Sequence, residues 1–510
     1  MKLTNKNIKL TLFIIAGYLL IILFRGFNYA TGDVVDVMSY TRYLQDNQLF
    51  RFDFYVQNIS KVIPNERYFF SFLLSKMGTL IKFLPFVFHS ILLVIFLLYL
   101  YKIISIYLKS LSLKFIMILL LLGPFYSYNL GGNELYYNMF IASFTAKVFG
   151  VVSLFYHLKK ARTLPYLLLI ISTAIHPTVG IQLFIIFAVI DVFELAKDHM
   201  NFSIGKLLGP AFYLMTAGIY IYILLIRANS GEISGNQYME IFEFRNAHHF
   251  FPQYFSVSSY AVEITLYCTG IFIMIRKKMY DLIKISTVII IGLIFYTIGV
   301  VILKTDMILN TQWFKTTIWL ELLAFIAIFS FVEYLWLKLP QKYTDRTILG
   351  IFFLIISVSV LLFNTGADYF SNKPYRLFYG MKMSDEEDIG MKIKALTEKD
   401  AIIIYPVDFT GFKVYSERSA YIDYKSVVHR KDALGEWYSR ISEVYGIDIN
   451  DRRSGQDLFS IANKNFKSLS INKLKELKGK GVDYMVQDKE VDFYLPVLVE
   501  NKKFKVYILK

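Results

Sequence analysis

Two carboxylates, Asp33 and Asp36, open the stretch "TGDVVDVMSY", which directly follows the first long apolar run. If this stretch is helical, Asp33, Asp36 and Tyr40 stand at i, i+3 and i+7 and share one face. Carboxylates in that arrangement suit a base that takes a proton from a hydroxyl, or the binding of a divalent cation, though no further acidic ligands point to one. The plainer alternative is that they hydrate an interface and pair with Arg42 or Arg51, and Asp46 and Asp53 read as ordinary solvated residues. A second group lies in "RNAHHFFP", where Arg245, His248 and His249 place two of the seven histidines side by side. Imidazole and guanidinium donors suit phosphate oxygens, and histidine exchanges protons near neutral pH. Zinc is poorly served there, because adjacent histidines rarely aim at one ion and no HExxH or cysteine-rich partner occurs. The competing reading is a loop whose histidines satisfy local backbone groups. Lys147 sits inside an apolar run, where a lysine is a functional candidate by default. His176, before Pro177, reads as a phosphate ligand or as part of a kink. Near the C-terminus Arg418, Lys425 and Arg440 add cations for a bound anion, or simply a solvated surface.

The elements that must carry these groups are mainly membrane helices. Hydrophobic residues make up 55% of the 510 and aromatics 17%, and apolar runs near 20 residues recur along most of the chain, as a bilayer-spanning helix requires. Hydropathy marks eleven spans: 10–24, 84–101, 113–128, 140–158, 164–177, 178–196, 207–226, 259–275, 285–303, 313–337 and 347–364. The expected fold is an α-helical polytopic membrane protein with a small C-terminal α/β domain outside the membrane. The run at 10–24 follows three lysines and no small-residue cleavage pattern, so it reads as a retained anchor. A single cysteine, Cys268, leaves no internal disulfide and no multi-thiolate metal site. The net charge of +15 is spread over short loops, which fits membrane topology rather than nucleic-acid binding. No Walker sequence, glycine-rich nucleotide loop or nucleophile elbow occurs.

With the N-terminus in the cytoplasm, the inner segments would hold eighteen basic residues and the short outer loops only Arg227, Arg245 and Lys304, the bias of the positive-inside rule. The C-terminal domain, 367–510, then lies outside the cytoplasmic membrane, along with a long first outer loop at 25–83 and the histidine-pair loop at 227–258. Whether 67–85 adds a span decides everything downstream. In the tail, "MSDEEDIGMKIKALTEK" has Ser384 three residues before Glu387, a capping-box spacing, with Ile389, Ile393 and Leu396 on one face. Strands are expected at "AIIIYPV", "FKVYSERSAYIDY", "VDYMVQ" and "KFKVYIL", and a helix around "DALGEWYSRISEVYG".

An N-terminal span, a long outer loop with an acid soon after it, many further spans and an outer C-terminal domain resemble the GT-C superfamily of integral-membrane glycosyltransferases. More narrowly, "TGDVVDVMSY", "FDFYV", "IHPTVG", "RNAHHFFP", "NTQWFK", "FKVYSERSAYIDYKS" and "EWYSR" look like a bacterial family of uncharacterised membrane proteins near those enzymes. The resemblance covers most of the chain. Where members of that family tend to carry proline before the histidine pair, this chain has Ala247.

The resemblance implies transfer of a sugar from a polyprenyl-phosphate carrier to a glycan or lipid acceptor hydroxyl, with Asp33 or Asp36 in the place of the proposed base. Arg245, His248 and His249 would hold the phosphate, with Lys147 below them. Three other readings stay open: a polysaccharide polymerase or ligase using a lipid-diphosphate donor, a lipid-linked sugar transporter, and an inactive scaffold.

Overall fold

In a computed structural model the described residues are 5–30, 32–78, 83–123, 129–197, 207–338, 347, 383–451 and 455–510. They are mostly helical, with a small sheet near the C-terminus. Among the described residues, seven helices are long and apolar enough to cross a membrane: Asn7–Arg25, Leu84–Tyr107, Pro177–Ala196, Leu208–Ala228, Val257–Arg276, Tyr280–Ile302 and Asp306–Trp336. At 1.5 Å per residue, a helix of about 20 residues matches the ~30 Å hydrocarbon core. Three of the eleven expected spans are shorter apolar helices, Leu111–Leu122, Ala142–Leu158 and Leu164–Ile175, and the one at 347–364 falls outside the described residues. Segment 67–85 adds no long helix: its described part holds the eight-residue Tyr68–Ser75, roughly 12 Å of rise.

The chain divides by its internal contacts into two compact units. One comprises Met1–Phe27, Pro85–Ile219 and Asn246–Phe378; the other comprises Asn28–Leu84, Tyr220–Arg245 and Tyr379–Lys510. The expected boundary near 367 therefore misses half of the picture, because the tail packs as one body with the first loop and with 220–245. The reason is apolar burial. Tyr40, Phe50, Tyr55, Val56 and Ile59 of the loop form one core with Val428 and Ala433 of the tail.

Within the first unit, polar contacts sort the connections into two sets. Lys160 pairs with Glu194 and Asp281, and Lys284 with Glu194; Glu333 accepts from Lys109 N at 2.8 Å. These residues all flank segments assigned to the inner side. Elsewhere in this unit, Gln182 donates to Thr311 O at 2.9 Å, Thr317 to Leu130 O at 2.8 Å, and Tyr296 to Phe250 O at 2.9 Å.

In the second unit the sheet runs β2-β1-β3-β5-β4, from β1 (Ile402–Ile404), β2 (Ser419–Ala420), β3 (Tyr484–Asp488), β4 (Val497–Glu500) and β5 (Phe504–Ile508). β1 pairs parallel with β2 and β3, while β5 is antiparallel to β3 and β4. Helix Asp385–Leu396 begins at Ser384, whose hydroxyl accepts from Glu387 N at 3.2 Å, and buries Ile389 and Ile393 against Ile403, Phe412 and Val486. Leu396, expected on the same face, is exposed. "FKVYSERSAYIDY", expected as one strand, is a helix (Phe412–Ser416) followed by the two-residue β2. Glu417 turns the chain between them at φ 48°, and this turn aims the functional groups described next.

Candidate functional site

Three short pieces of the first loop converge with residues 413–426 of the tail. Gly32 turns at φ 60° and delivers Asp33 to the start of helix Val34–Gln45. Asp36 lies one turn in, buried. Asp53 caps helix Phe54–Ser60: one carboxylate oxygen accepts from Val56 N and the other from Ala420 N, both at 3.0 Å. Reading Asp53 as solvated is therefore a correction; it is buried, and it fastens the loop to the edge strand β2. Its signal was a cap, an acid just before an apolar helix.

The centre of the cluster is Lys413, whose side chain is fully buried. Its ammonium lies 3.1 Å from Asp423, 3.9 Å from Asp53 and 2.6 Å from Ser426 Oγ. Ser426 Oγ also lies 2.6 Å from Asp36 Oδ1 and 2.7 Å from Asp423 Oδ2. A hydroxyl has one proton to donate and two lone pairs to accept with. Lys413 can only donate, so Ser426 donates to one carboxyl and the other must itself carry a proton. Asp423 takes two further donors, Lys413 and Lys425 N at 2.7 Å. Although burial opposes its charge, Lys413 and Ser426 hold its pKa below the ordinary value. Burial instead pushes Asp36 up, against the pull of Lys413, Lys425 and Arg67. Of the two acids, Asp36 is the one whose pKa burial raises, so it is the favoured site for that proton. Burial opposes the charge of Lys413, but the Asp53 and Asp423 carboxylates raise its pKa. Among the described residues no group of three or more acidic, histidine or cysteine side chains is arranged to hold a metal, and Lys413 fills the place between Asp53 and Asp423.

Asp33 differs from Asp36. It remains more than a third exposed and pairs with Lys425 at 3.2 Å. Lys425 is positioned by Arg245, which donates to Tyr424 O at 2.8 Å and to Lys425 O at 3.1 Å while stacking on the Tyr424 ring. Arg245, expected to hold a phosphate, supports the tail backbone through these contacts. Arg418 is likewise corrected: it is buried and donates to the carbonyls of Lys394, Thr397 and Glu417 at 2.6, 2.7 and 3.1 Å. Arg440 lies between the rings of Phe54 and Tyr421 and bonds Tyr421 O and Glu436, so it too is occupied within the fold. Sequence reasoning missed Lys413 and Asp423, which sit in a run expected as a strand, and Ser426, two residues beyond it.

The histidine pair belongs to the other unit. "RNAHHFFP" is part of helix Gly235–Phe250 rather than a loop, with a kink at Asn246 (φ −139°, ψ 38°). His249 Nδ1 lies 3.0 Å from Gly131 O; a carbonyl only accepts, so Nδ1 carries the hydrogen and Nε2 is the basic nitrogen of the neutral ring. The turn at Gly131 and Gly132 has φ of 90° and 61°, and a Cβ on Gly132 would come within 2.6 Å of His249 Nδ1. Lys147, fully buried, donates to Asn133 Oδ1 at 2.7 Å and to Glu134 O, so it holds the same 129–134 turn that receives His249. His176 ends helix Leu164–Ile175, with Nδ1 3.4 Å from the Thr178 hydroxyl; it acts as a break between helices.

A family model described as a domain of unknown function, DUF6798, matches residues 384–444. That stretch supplies Lys413, Asp423, Lys425 and Ser426, and the description assigns it no activity. No curated protein matches the chain.

Proposed function

We propose that the protein is a membrane glycosyltransferase that moves a sugar from a polyprenyl-phosphate carrier to an acceptor hydroxyl on the outer face of the bacterial cytoplasmic membrane, with its N-terminus cytoplasmic. One observation carries this reading: a partly exposed carboxylate, Asp33, lies just beyond the first apolar helix and beside Lys425, with a second, buried acid one turn behind it. The resemblance to GT-C enzymes places a base at this point of the chain. Asp33 would take the acceptor's proton as the acceptor oxygen bonds to the anomeric carbon. The bond from that carbon to the carrier's phosphate oxygen breaks, and polyprenyl phosphate leaves with the electron pair. Asp36, neutral and tied to Ser426, is a positioning residue that keeps Lys425 and Asp33 in register. The histidine pair lies in its own unit, where protonation of His249 at Nε2 would supply a donor for an anion.

The test uses full-length protein in liposomes, with membranes of a deletion strain as acceptor and a radiolabelled polyprenyl-monophosphate hexose as donor. Asp33→Asn should lower transfer by about 10²- to 10⁴-fold, the usual contribution of a general base, and Asp36→Asn by clearly less. Full transfer by Asp33→Asn at matched protein level would overturn the assignment. Turnover of a diphosphate-linked hexose alone would favour a polymerase or ligase.

A further inference from the structure

Helix Tyr68–Ser75, "YFFSFLLS", is apolar on two faces. Phe70 and Leu74 are buried, and the helix packs on Val34–Gln45, where Gln45 Nε2 donates to Ser75 O at 3.1 Å. Phe69, Phe72 and Leu73, at i, i+3 and i+4, form a second stripe that stays 41, 42 and 61% exposed. Such a stripe is unfavourable in water. Eight residues rise only ~12 Å, too little to cross a ~30 Å apolar layer. The turn before the helix ties it to the end of the apolar helix Leu208–Ala228. Phe69 meets the Tyr220 ring edge to face at 5.4 Å, the Tyr220 hydroxyl donates to Asn65 O at 2.7 Å, and Arg227 donates to the carbonyls of Ile63 and Pro64 at 3.3 and 3.4 Å. Tyr220 precedes the helix end at Ala228 by eight residues, again ~12 Å of rise. The stripe is therefore held beside the last two turns of that helix, whose own Tyr222 and Ile226 are exposed one turn apart. Cations flank it: Arg227, and Lys76, whose ammonium lies 4.6 Å from the centre of the Phe72 ring.

We infer that residues 63–76 form an anchor in the bilayer surface: Phe69, Phe72 and Leu73 enter the lipid at the Ala228 end of helix Leu208–Ala228, and Lys76 lies among the headgroup phosphates. An interfacial helix buries its apolar face about 5–10 Å into the headgroup boundary, and the Phe69–Tyr220 contact lies at a similar distance from the helix end. Aromatic rings favour this zone. A second copy of the chain accounts for less, because it would also have to cover Tyr222 and Ile226 on the adjoining apolar helix, which a bilayer covers without further contacts. The anchor bears on the candidate site through Asn65, whose Nδ2 donates to the Tyr40 hydroxyl at 3.0 Å. Tyr40 belongs to the helix that begins at Asp33, so this helix is held at the bilayer surface, the level at which the polar end of a lipid-tethered substrate lies. The lipid contact itself does not depend on the glycosyltransferase reading.

The test uses full-length protein in nanodiscs of phosphatidylglycerol and phosphatidylethanolamine. Spin labels are attached singly through Phe69→Cys, Phe72→Cys, Leu73→Cys and, as a reference, Tyr494→Cys, which alters a fully exposed tail residue; each is made in a Cys268→Ser background, because the native thiol is exposed. Collision rates are read with oxygen, which concentrates in lipid, and with a nickel chelate, which stays in water. The oxygen-to-nickel ratio should be several-fold higher at the three stripe positions than at Tyr494→Cys. A ratio equal to that reference places the stripe in water and overturns the proposal. Labels that are immobile and shielded from both reagents show that protein covers the stripe, as in a dimer, and overturn it equally. A second measurement needs no substitution: a lipid-soluble carbene reagent should modify residues 69–73 of the wild-type protein to an extent comparable with 222–226, and absence of modification at 69–73 alone overturns the anchor. Lipid contact in a protein that transfers no sugar would sink the glycosyltransferase reading and leave the anchor standing.

Discussion

Replacing Asp36 with asparagine tests the proton count at Ser426. An amide N–H donates to Ser426 Oγ as the acid's O–H does, so below neutral pH the substitution should cost little, within ~1 kcal/mol. Alanine removes the donor and leaves a small void, about 1–3 kcal/mol. The pH dependence separates the variants further. The folded-state pKa of Asp36 lies above its ordinary value of 3.8, raised first by burial. A group raised on folding contributes stability that is fully present below the unfolded value and is lost as pH rises through the folded value. Between those two values the folded protein holds one more proton than the unfolded, so wild-type stability should fall relative to Asp36→Asn by about 1.4 kcal/mol per pH unit. Above the folded pKa the difference should level off, with the asparagine variant the more stable. Hydrogen-exchange protection of residues 412–426 in full-length protein, corrected for the intrinsic pH dependence of exchange, gives the free energy of opening. Difference infrared spectra should show a protonated-carboxyl stretch in the wild type that is missing in Asp36→Asn. A constant gap between the two proteins from pH 4 to 9, or a loss of 3–5 kcal/mol in the asparagine variant as for a broken buried ion pair, would refute the assignment.

Two further outcomes follow from the geometry. Lys413→Met removes the counter-ion of two buried carboxylates and should destabilise the second unit by about 3–5 kcal/mol, read as loss of exchange protection in the tail; a change under ~1 kcal/mol would show that Asp53 and Asp423 do not depend on it. Gly132→Ala meets both a left-handed backbone and His249 Nδ1 at 2.6 Å, so it should cost at least ~1 kcal/mol and shift the His249 imidazole resonances, whereas unchanged resonances would separate the turn from the histidine.

The membrane helices were legible because a continuous apolar run leaves few alternatives. The tail's first helix and the end strands followed from caps and alternation. What failed did so for identifiable reasons. "FKVYSERSAYIDY" alternates like a strand, yet Phe412 and Lys413 had to bury in opposite environments, one in the sheet core and one among carboxylates. Asp33 and Asp36 were visible as a pair but indistinguishable, since the difference between them, exposure and a protonated contact to Ser426, arises from a partner about 390 residues away in sequence.

The matched segment 384–444 supplies only half of the charge network. Lys413, Asp423 and Ser426 come from it, while Asp36 and Asp53 come from the loop after the first helix. Without the loop, Lys413 would keep Asp423 but lose Asp53, Ser426 would lose Asp36, and the β2 amide of Ala420 would lose its acceptor. The cost of burying an ammonium is met only when all of its acids are in place. The tail's buried lysine and the loop's buried acids therefore require one another, and any ligand held at Asp33 and Lys425 meets a surface built from both ends of the chain.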